Sequence, residues 1–277
     1  MQIRHHIAFR SDEHSEFLKY LTENNIKFKD GDILCSLDIL SDNLYYSEVT
    51  RFAEKYNVIS YSDTVFSKKE LESAEWLTLR STWHNGYPMP DGDFGYFHET
   101  YDGNRYCPEC GCNLYQQDSF KLRKTPSWGK RSFMMLNWVY DELFVSDETK
   151  EFLLNSGLSG FHFTDVKNKN GKTILPDVNQ LCIDTELQPG LIYPQPRIRN
   201  LLICPKCGSK KYHPNGVGIF KFKKSIFEGM PDIVKSEEYF GWGRGADRLI
   251  IVKNSFYKTI TKNKLDRALE FQPIELV

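Results

Sequence analysis

The sequence carries no excess of charge of either sign and no long hydrophobic run. Its 277 residues include 36 lysines and arginines against 37 aspartates and glutamates, which gives a formal net charge of −1. Domains that mainly grip nucleic-acid phosphates usually carry a clear basic excess, so this balance argues against that class. No segment approaches the roughly 18 apolar residues of a membrane span, and no apolar signal segment follows the amino terminus. We therefore expect a cytoplasmic protein that does not act in a membrane.

The sequence also lacks the short motifs that mark common catalytic sites. It contains no Gly-x-Ser-x-Gly elbow, no Walker phosphate loop and no His-Glu-x-x-His zinc site. The string from Gly241 to Gly245 (GWGRG) resembles a phosphate loop, but it lacks the Gly-x-Gly-x-x-Gly spacing and a following lysine. We therefore predict that the protein is not an enzyme. An enzyme with an unfamiliar site, combining His162 or His213 with carboxylates, stays open as an alternative.

Aromatic side chains and cysteines, by contrast, are plentiful. Aromatic residues make up 14% of the chain, a composition that excludes disorder as the dominant state. A chain of this length can bury a substantial core without disulfide bonds. The seven cysteines are odd in number, and four form two Cys-x-x-Cys pairs, Cys107 with Cys110 and Cys204 with Cys207. In a reducing compartment such pairs are more often metal ligands or catalytic thiols than disulfides.

The two pairs have the form Cys-Pro-x-Cys-Gly, which suits metal binding. Proline limits the freedom of the backbone, and glycine permits the tight turn that aims both thiolates at one point. We predict one structural Zn²⁺ per chain, held in a closed tetrahedral site by Cys107, Cys110, Cys204 and Cys207. A redox pair would have to open a helix, and neither motif does so. Because 93 residues separate Cys110 from Cys204, the ion would clamp two distant parts of the chain together.

Other cysteines and histidines lie outside this ligand set. Cys112 extends the first motif to Cys-x-x-Cys-x-Cys, and it is expected to be a bystander, although substitution as a ligand stays open. His213 and His98 could each complete an incomplete site, but four thiolates already suffice. Cys35 and Cys182 are expected to be buried apolar residues.

Residues 1–66 alternate strand and helix signals. The patterns predict a strand at 3–9, a helix at 11–25, a hairpin of 26–28 with 33–37 about the turn 29–32, a helix at 47–56 and a strand at 58–61. The order βαββαβ indicates a split βαβ, ferredoxin-like domain. This fold is common and names no function. Residues 67–100 are then expected to form a connector, with a helix over 67–79 that contains Trp76 and a loop-rich stretch after it.

The remaining residues, 101–277, repeat themselves. The motif beginning at Cys107 recurs at Cys204, and each copy is followed by a strand, helix and strand pattern, with helices predicted at 148–155 and 255–262. We predict a double-CXXCG zinc-binding domain of two related halves, 101–166 and 199–277, each a zinc knuckle plus a β-α-β unit. Chance similarity of two β-α-β patterns is the alternative. The fold class expected for the whole chain is α+β.

A run of lysines around residues 219–224 offers a second functional interpretation. Lys221, Lys223 and Lys224 alternate with Phe220 and Phe222, a pattern that could follow a nucleic-acid strand through charge and base stacking. The same pattern is typical of a half-exposed strand with lysines on its wet face, and the balanced charge of the chain favours this simpler explanation.

Several features together resemble one known family. The two Cys-x-x-Cys-Gly motifs, the stretch WGRGADR from Trp242 to Arg248 and the closing LEFQPI around Pro273 are similar to the double-CXXCG motif proteins, over roughly residues 100–277. The resemblance implies a bacterial family that includes immunity proteins, which bind and neutralise a cognate toxin without doing chemistry. It also implies zinc coordination for the four paired cysteines.

The leading hypothesis is therefore a zinc-containing, non-enzymatic protein that binds and neutralises a cognate bacterial toxin, its protein partner. If that toxin is a nuclease, an acidic face would mimic phosphate, and Asp91, Asp93 and Glu99 would be candidates for that face. The alternative is a zinc-ribbon nucleic-acid-binding protein that uses the strand at 219–224.

Overall fold

The computed structural model describes residues 1–31 and 33–277, which form two compact units. The amino-terminal unit comprises residues 1–67 and 215–219, and the carboxy-terminal unit comprises residues 68–214 and 220–277. Helices and β-sheets are both present, which confirms the α+β class. Across the described residues, no helix is long and apolar enough to pass through a lipid bilayer.

The amino-terminal unit is a three-stranded antiparallel sheet with two helices. Its elements are β1 (Gln2–Arg10), α1 (Ser15–Glu23), β2 (Leu34–Leu40), α2 (Tyr46–Lys55) and β3 (Ile59–Val65). Strand β1 lies in the centre and pairs with both β2 and β3. Alternate side chains of β1 and β2 share one face of the sheet, where they pack with both helices. This core contains Ile7, Phe9, Phe17, Leu21, Cys35, Leu37, Ile39, Val49 and Ala53.

The strand predicted at 26–28 does not form. The backbone here makes only an isolated bridge between Lys29 and Ser36, so the observed order is βαβαβ rather than βαββαβ. Ile26 and Phe28 still pack against the core. The alternation of apolar residues is therefore real, but the segment between the end of α1 and the bridge is too short to build a ladder. Asp32, in the predicted turn 29–32, lies outside the described residues.

The carboxy-terminal unit contains two sheets. Its elements are α3 (Lys68–Ser73), β4 (Trp76–Ser81), α4 (Tyr96–Thr100), β5 (Lys121–Leu122), β6 (Phe133–Leu136), β7 (Val139–Val145), α5 (Asp147–Asn155), β8 (Phe161–Asn168), β9 (Ile174–Ile183), β10 (Ile198–Ile203), β11 (Lys210–Pro214), β12 (Phe220–Phe222), β13 (Ile233–Phe240), β14 (Asp247–Lys253), α6 (Asn254–Lys262) and β15 (Leu269–Leu276). One sheet has the order β5-β8-β9-β7-β6, and the other has the order β10-β11-β13-β14-β4-β15-β12.

The two sheets share one arrangement of strands. In each, a β-α-β unit (β7-α5-β8 or β14-α6-β15) leaves a gap between its two strands, and an antiparallel strand fills that gap. A hairpin partner, β6 or β13, adjoins the first strand of the unit. A short parallel strand, β5 or β12, adjoins the last strand. The two halves predicted from sequence contain these β-α-β units.

The strands that fill the two gaps lie outside those predicted halves. Strand β9 fills the first sheet, and β4, which precedes the first cysteine motif, fills the second sheet. The helix predicted over 67–79 is therefore wrong in its second part, since α3 ends at Ser73 and Trp76 begins a strand. The stretch from Trp76 to Leu79 does not alternate between apolar and polar residues, because β4 is buried on both faces. Apolar periodicity alone cannot distinguish such a strand from a buried helix.

The main core lies between the sheets and the helices α5 and α6. It includes Leu77 and Leu79 of β4, Leu143 of β7, Leu181 of β9 and Phe256 of α6. On the opposite face of β4, Trp76 belongs to a second cluster that also holds Phe222 and Phe227. Strand β4 is thus the element shared by two hydrophobic clusters.

This position makes a quantitative prediction for β4. Replacing Leu77, which is fully buried, with alanine should cost about 2–5 kcal/mol of unfolding free energy, because a cavity remains. The control is Arg80→Ala in the same strand, where an exposed side chain pairs with Glu270 and the expected cost is below about 1 kcal/mol. Denaturant titrations of both variants, followed by near-ultraviolet circular dichroism, measure the difference. Equal losses would contradict the central placement of β4.

Candidate metal centre and adjoining cavity

The structure brings the four predicted cysteines together in the carboxy-terminal unit. Their sulfur atoms all lie within 4.8 Å of one another, with 3.8 Å between Cys107 and Cys204 and 3.6 Å between Cys110 and Cys207. Four sulfurs placed tetrahedrally about 2.3 Å from a Zn²⁺ ion lie about 3.8 Å apart. The cluster therefore has the dimensions of a four-thiolate metal site, and these side chains can hold a metal ion.

The two motifs have matching backbone geometry. In the first, the Gly111 amide donates a hydrogen bond to the Cys107 carbonyl over 2.8 Å. In the second, the Gly208 amide donates to the Cys204 carbonyl over 2.9 Å. Both glycines have positive φ, 81° and 74°, which places them in the left-handed region. The same short turn is thus used twice to aim a pair of sulfurs at one point.

The first motif lies against a loop from the second half of the unit. A Cβ atom on Gly111 would fall 1.8 Å from the carbonyl oxygen of Arg244, whereas a Cβ on Gly208 would meet no atom within 4 Å. Glycine is therefore required at position 111 for two reasons, backbone conformation and close approach. At position 208 only the conformation requires it.

Lys211 fixes that loop against the first motif. Its buried ammonium group donates hydrogen bonds to the carbonyl oxygens of Cys110 (2.7 Å), Gly243 (2.5 Å) and Gly245 (3.1 Å). The glycine-rich string 241–245 thus turns its carbonyl groups toward a lysine. The positive charge also lies next to the first motif, where it would offset the net negative charge of a metal bound by four thiolates.

The thiols differ in acidity before any metal binds. Burial opposes ionisation of Cys207, but hydrogen bonds from Ser209 and from the thiols of Cys107 and Cys110 outweigh it and lower its pKa to about 6. Burial raises the pKa of Cys110 instead. Cys207 therefore favours the thiolate form, which is the form of cysteine that binds a metal.

The residues left open as substitute ligands do not join the group. Neither Cys112 nor His213 is among the four grouped residues, although both are buried. The backbone carbonyl of Cys112 accepts a hydrogen bond from the Cys107 amide, and the His213 ring stacks on Trp242 with ring centroids 3.7 Å apart. His98 is exposed. Of the other two cysteines, Cys35 is fully buried as expected, and Cys182 is half-buried.

The lysine and phenylalanine strand does not present its aromatic rings to solvent. Phe220 and Phe222 are 4% and 0% exposed, because both belong to the hydrophobic cluster around Trp76. Lys221 pairs with Glu275 over 3.0 Å. The base-stacking part of the nucleic-acid interpretation is therefore wrong, and β12 is an edge strand whose single lysine, Lys221, is half-buried.

Two of the three carboxylates suggested as a phosphate-mimicking face are already paired. Asp91 forms an ion pair with Arg123 over 3.0 Å, and Glu99 forms one with Lys121. Asp93 is exposed. These three residues therefore present much less free negative charge than their sequence suggests.

A cavity of about 720 Å³ adjoins the metal centre. Nine phenylalanine, tyrosine and tryptophan side chains line it, together with Pro108 from the first motif and Gly245 from the glycine-rich loop. Burial raises the pKa of Tyr239 to about 12, so its hydroxyl stays neutral at physiological pH. Sequence reasoning missed this cavity, because its lining comes from segments spread between residues 93 and 248.

The inner end of the cavity is rich in carboxylates. Asp141, Glu142 and Asp247 line it beside Lys235, whose ammonium group forms an ion pair with Glu142 and lies 4.0 Å from Asp141. Burial and the charge of Asp141 raise the pKa of Asp247 to about 7. Burial lowers the pKa of Lys235, but the charges of Glu142 and Asp141 outweigh it and raise the pKa, so this lysine stays charged.

Backbone strain concentrates at the mouth of the cavity. Three of its lining residues have positive φ although they are not glycine: Asp93 (48°), Phe94 (55°) and Trp138 (71°). Such conformations cost on the order of 1–3 kcal/mol each and often mark binding sites. Trp138 lies in the two-residue turn between β6 and β7, and its ring contacts Phe94 at a centroid distance of 4.6 Å.

The asymmetry between the two motif glycines can be tested directly. Gly208→Ala should cost about 1–2 kcal/mol of unfolding free energy, because alanine is forced into the left-handed region. Gly111→Ala should cost about 2–5 kcal/mol, because it adds overpacking against the Arg244 backbone. Denaturation of the metal-loaded protein and its metal content after dialysis measure both effects. If the alanine at 208 proves as costly as that at 111, the close packing of the loop is refuted.

Comparison with known proteins adds no named relative to these observations. The chain matches no protein-family model, and no curated protein is significantly similar to it. The geometry of the four cysteines and of the cavity beside them is therefore the basis for the functional argument.

Proposed function

We propose that the protein is a non-enzymatic binding protein whose carboxy-terminal unit is held together by one structural Zn²⁺ ion. The observation that carries this proposal is the closed group of four sulfurs at tetrahedral spacing. Four protein ligands leave no open position for a substrate or a reactive water, which is the arrangement of structural zinc sites. The ion would join a motif between α4 and β5 to a motif in the turn between β10 and β11, so its binding energy would contribute directly to folding.

Zinc is the metal that this donor set favours. Tetrahedral four-sulfur sites in proteins hold zinc or iron, whereas calcium and magnesium require oxygen ligands. A zinc site needs no redox partner and keeps one geometry, which suits a clamp between two halves of a fold.

The metal proposal predicts about one zinc per chain by inductively coupled plasma analysis. Cys107→Ser and Cys204→Ser should each lower the zinc content and shift thermal unfolding to lower temperature, because three thiolates bind less tightly than four. Cys182→Ser is the matched control, since this half-buried thiol lies outside the group and should retain the metal. A metal-free chain as stable as the loaded one, or iron in place of zinc, would overturn the assignment.

We further propose that the partner is a protein, and specifically a cognate bacterial toxin that this chain neutralises. The resemblance to double-CXXCG proteins supports the toxin. An exposed group of aromatic rings supports a protein partner: Tyr87, Phe94, Trp138 and Tyr140 are between 36% and 48% exposed, and we call them the aromatic patch. Ring contacts of 4.5 Å and 4.6 Å join Tyr87 and Phe94 to Trp138.

The aromatic patch has the character of a binding surface. Tyrosine and tryptophan are enriched among the residues that dominate protein interfaces, and large exposed apolar groups on a folded unit mark interaction sites. The strained backbone of Phe94 and Trp138 supports the same interpretation, because selection for stability alone would favour glycine at such positions.

The partner proposal is tested with the products of the genes adjacent to its own. One of them should co-purify with the protein and should be toxic when expressed alone, and co-expression should rescue growth. Trp138→Ala should weaken the complex at least tenfold, as removal of a central interface tryptophan typically does. Trp242→Ala is the matched control, because it removes an exposed tryptophan outside the aromatic patch. If no neighbouring product binds or kills, the toxin proposal fails.

A further inference from the structure

The inner end of the cavity carries more negative charge than its own basic groups neutralise. Asp141, Glu142 and Asp247 face Lys235, whose ammonium group pairs with Glu142 and also lies 4.0 Å from Asp141. Arg248 also lines the cavity, but its guanidinium forms an ion pair with Glu186, which is not a lining residue. At the mouth, Asp93 and Arg244 are both exposed and balance each other. Three carboxylates therefore share one lysine, and the excess negative charge lies on Asp141 and Asp247. Because its pKa is raised to about 7, Asp247 is only partly ionised at neutral pH, and a bound cation would favour its ionised form.

Neutral aromatic rings surround this charge. The faces of such rings carry negative electrostatic potential and attract cations within about 6 Å of the centroid. The protein already contains one example at this site, since the Arg248 guanidinium lies 5.4 Å from the ring centroid of Tyr239 and 6.0 Å from that of Tyr115. The carboxylates and the aromatic ring faces of the cavity together favour binding of a second cation that, like the Arg248 guanidinium, can pack against a ring face.

Among cations, the guanidinium group fits these walls best. It is planar and weakly hydrated, stacks on aromatic faces and forms paired hydrogen bonds with carboxylates. A divalent metal ion fits less well, because among the described residues these three carboxylates do not come close enough together to form a metal-binding group. The volume of about 720 Å³ leaves room for the carbon chain that carries such a group.

We infer that this cavity binds a guanidinium group, presented on the side chain of an arginine of the partner protein or on a free small molecule. The carboxylates of Asp141 and Asp247 hold the cation, and the aromatic walls cover its planar faces. In its protein form, the inference rests on the proposed function, because the aromatic patch borders the same cavity and Phe94, Trp138 and Tyr140 belong to both. The small-molecule form does not depend on it.

The test compares two probes of nearly equal shape on the full, zinc-loaded chain. Propylguanidinium has the structure of an arginine side chain, and propylurea is its uncharged analogue. Saturation-transfer NMR and calorimetric titration should give propylguanidinium a dissociation constant on the order of 1 mM, typical of so small a ligand. Propylurea should bind at least tenfold more weakly. Equal binding of the two probes, or no binding of either, would overturn the inference without any variant.

A double variant identifies the binding groups. Because the charge of Asp141 contributes to the raised pKa of Asp247, Asp141→Asn alone lets Asp247 ionise more fully and so compensates in part for the lost charge. D141N/D247N should remove the tenfold preference for propylguanidinium. The matched control is Asp165→Asn, which removes an exposed carboxylate of β8 outside the cavity and should keep the preference. Retained zinc content and circular dichroism show that each variant is folded.

Comparison with the toxin complex separates the two proposals. A complex that forms with D141N/D247N as tightly as with the unaltered chain excludes an arginine of the partner from the cavity, while the toxin proposal stands. Binding of propylguanidinium with no toxin among the neighbours leaves a free guanidinium compound as the ligand. Loss of the complex in D141N/D247N, with the complex retained in D165N, supports both the toxin proposal and an arginine of the toxin in the cavity.

Discussion

The carboxy-terminal unit depends on the convergence of four sulfur atoms from two motifs 93 residues apart. Each motif uses the same glycine turn, and each contributes half of a tetrahedron. Two unusual contacts surround this point. Gly111 packs against the backbone carbonyl of Arg244, and the buried ammonium group of Lys211 donates hydrogen bonds to three carbonyl oxygens. These contacts bind the glycine-rich loop to the first motif, and that loop in turn forms one wall of the aromatic cavity. The four-sulfur group and the cavity therefore lie side by side because the same loop packs against both.

The location of the cavity follows from this arrangement. Its lining includes Pro108 within the first motif and residues 244–248, which run from the glycine-rich loop into β14. A change at the metal centre would therefore be felt at the cavity wall without any long pathway. The strained residues at the cavity mouth and the three carboxylates that share one lysine in the cavity have one property in common. Both cost stability in the isolated chain, and both would be relieved or used when a ligand is present.

The sequence predicted the α+β class and drew attention to the four cysteines, because Cys-Pro-x-Cys-Gly has a local physical meaning that survives without tertiary information. It also detected the β-α-β pattern after each motif. It failed at Trp76, where a strand buried on both faces shows no alternation, and at residues 26–28, where a correct apolar pattern lacks the length for a strand. The cavity was beyond its reach, because Asp141, Lys235 and Asp247 become neighbours only when β7, β13 and β14 pack. For the same reason, the sequence favoured a half-exposed strand at 219–224 but could not exclude stacking rings, and the structure shows that Phe220 and Phe222 are core residues.

The positions along the chain of the two gap-filling strands, β4 and β9, have a consequence for the order of folding. Strand β4 is synthesised before either cysteine motif, yet its neighbours β14 and β15 are the last strands of the chain. During synthesis both edges of β4 therefore stay unpaired until about 170 further residues have been added. Unpaired strand edges can pair with other chains and so promote aggregation. The first sheet, whose middle strand β9 follows β8 directly, can close much earlier. A nascent chain should thus pass through a stage with one finished sheet, one half of a metal site and one exposed apolar strand, which is the form that a chaperone would meet.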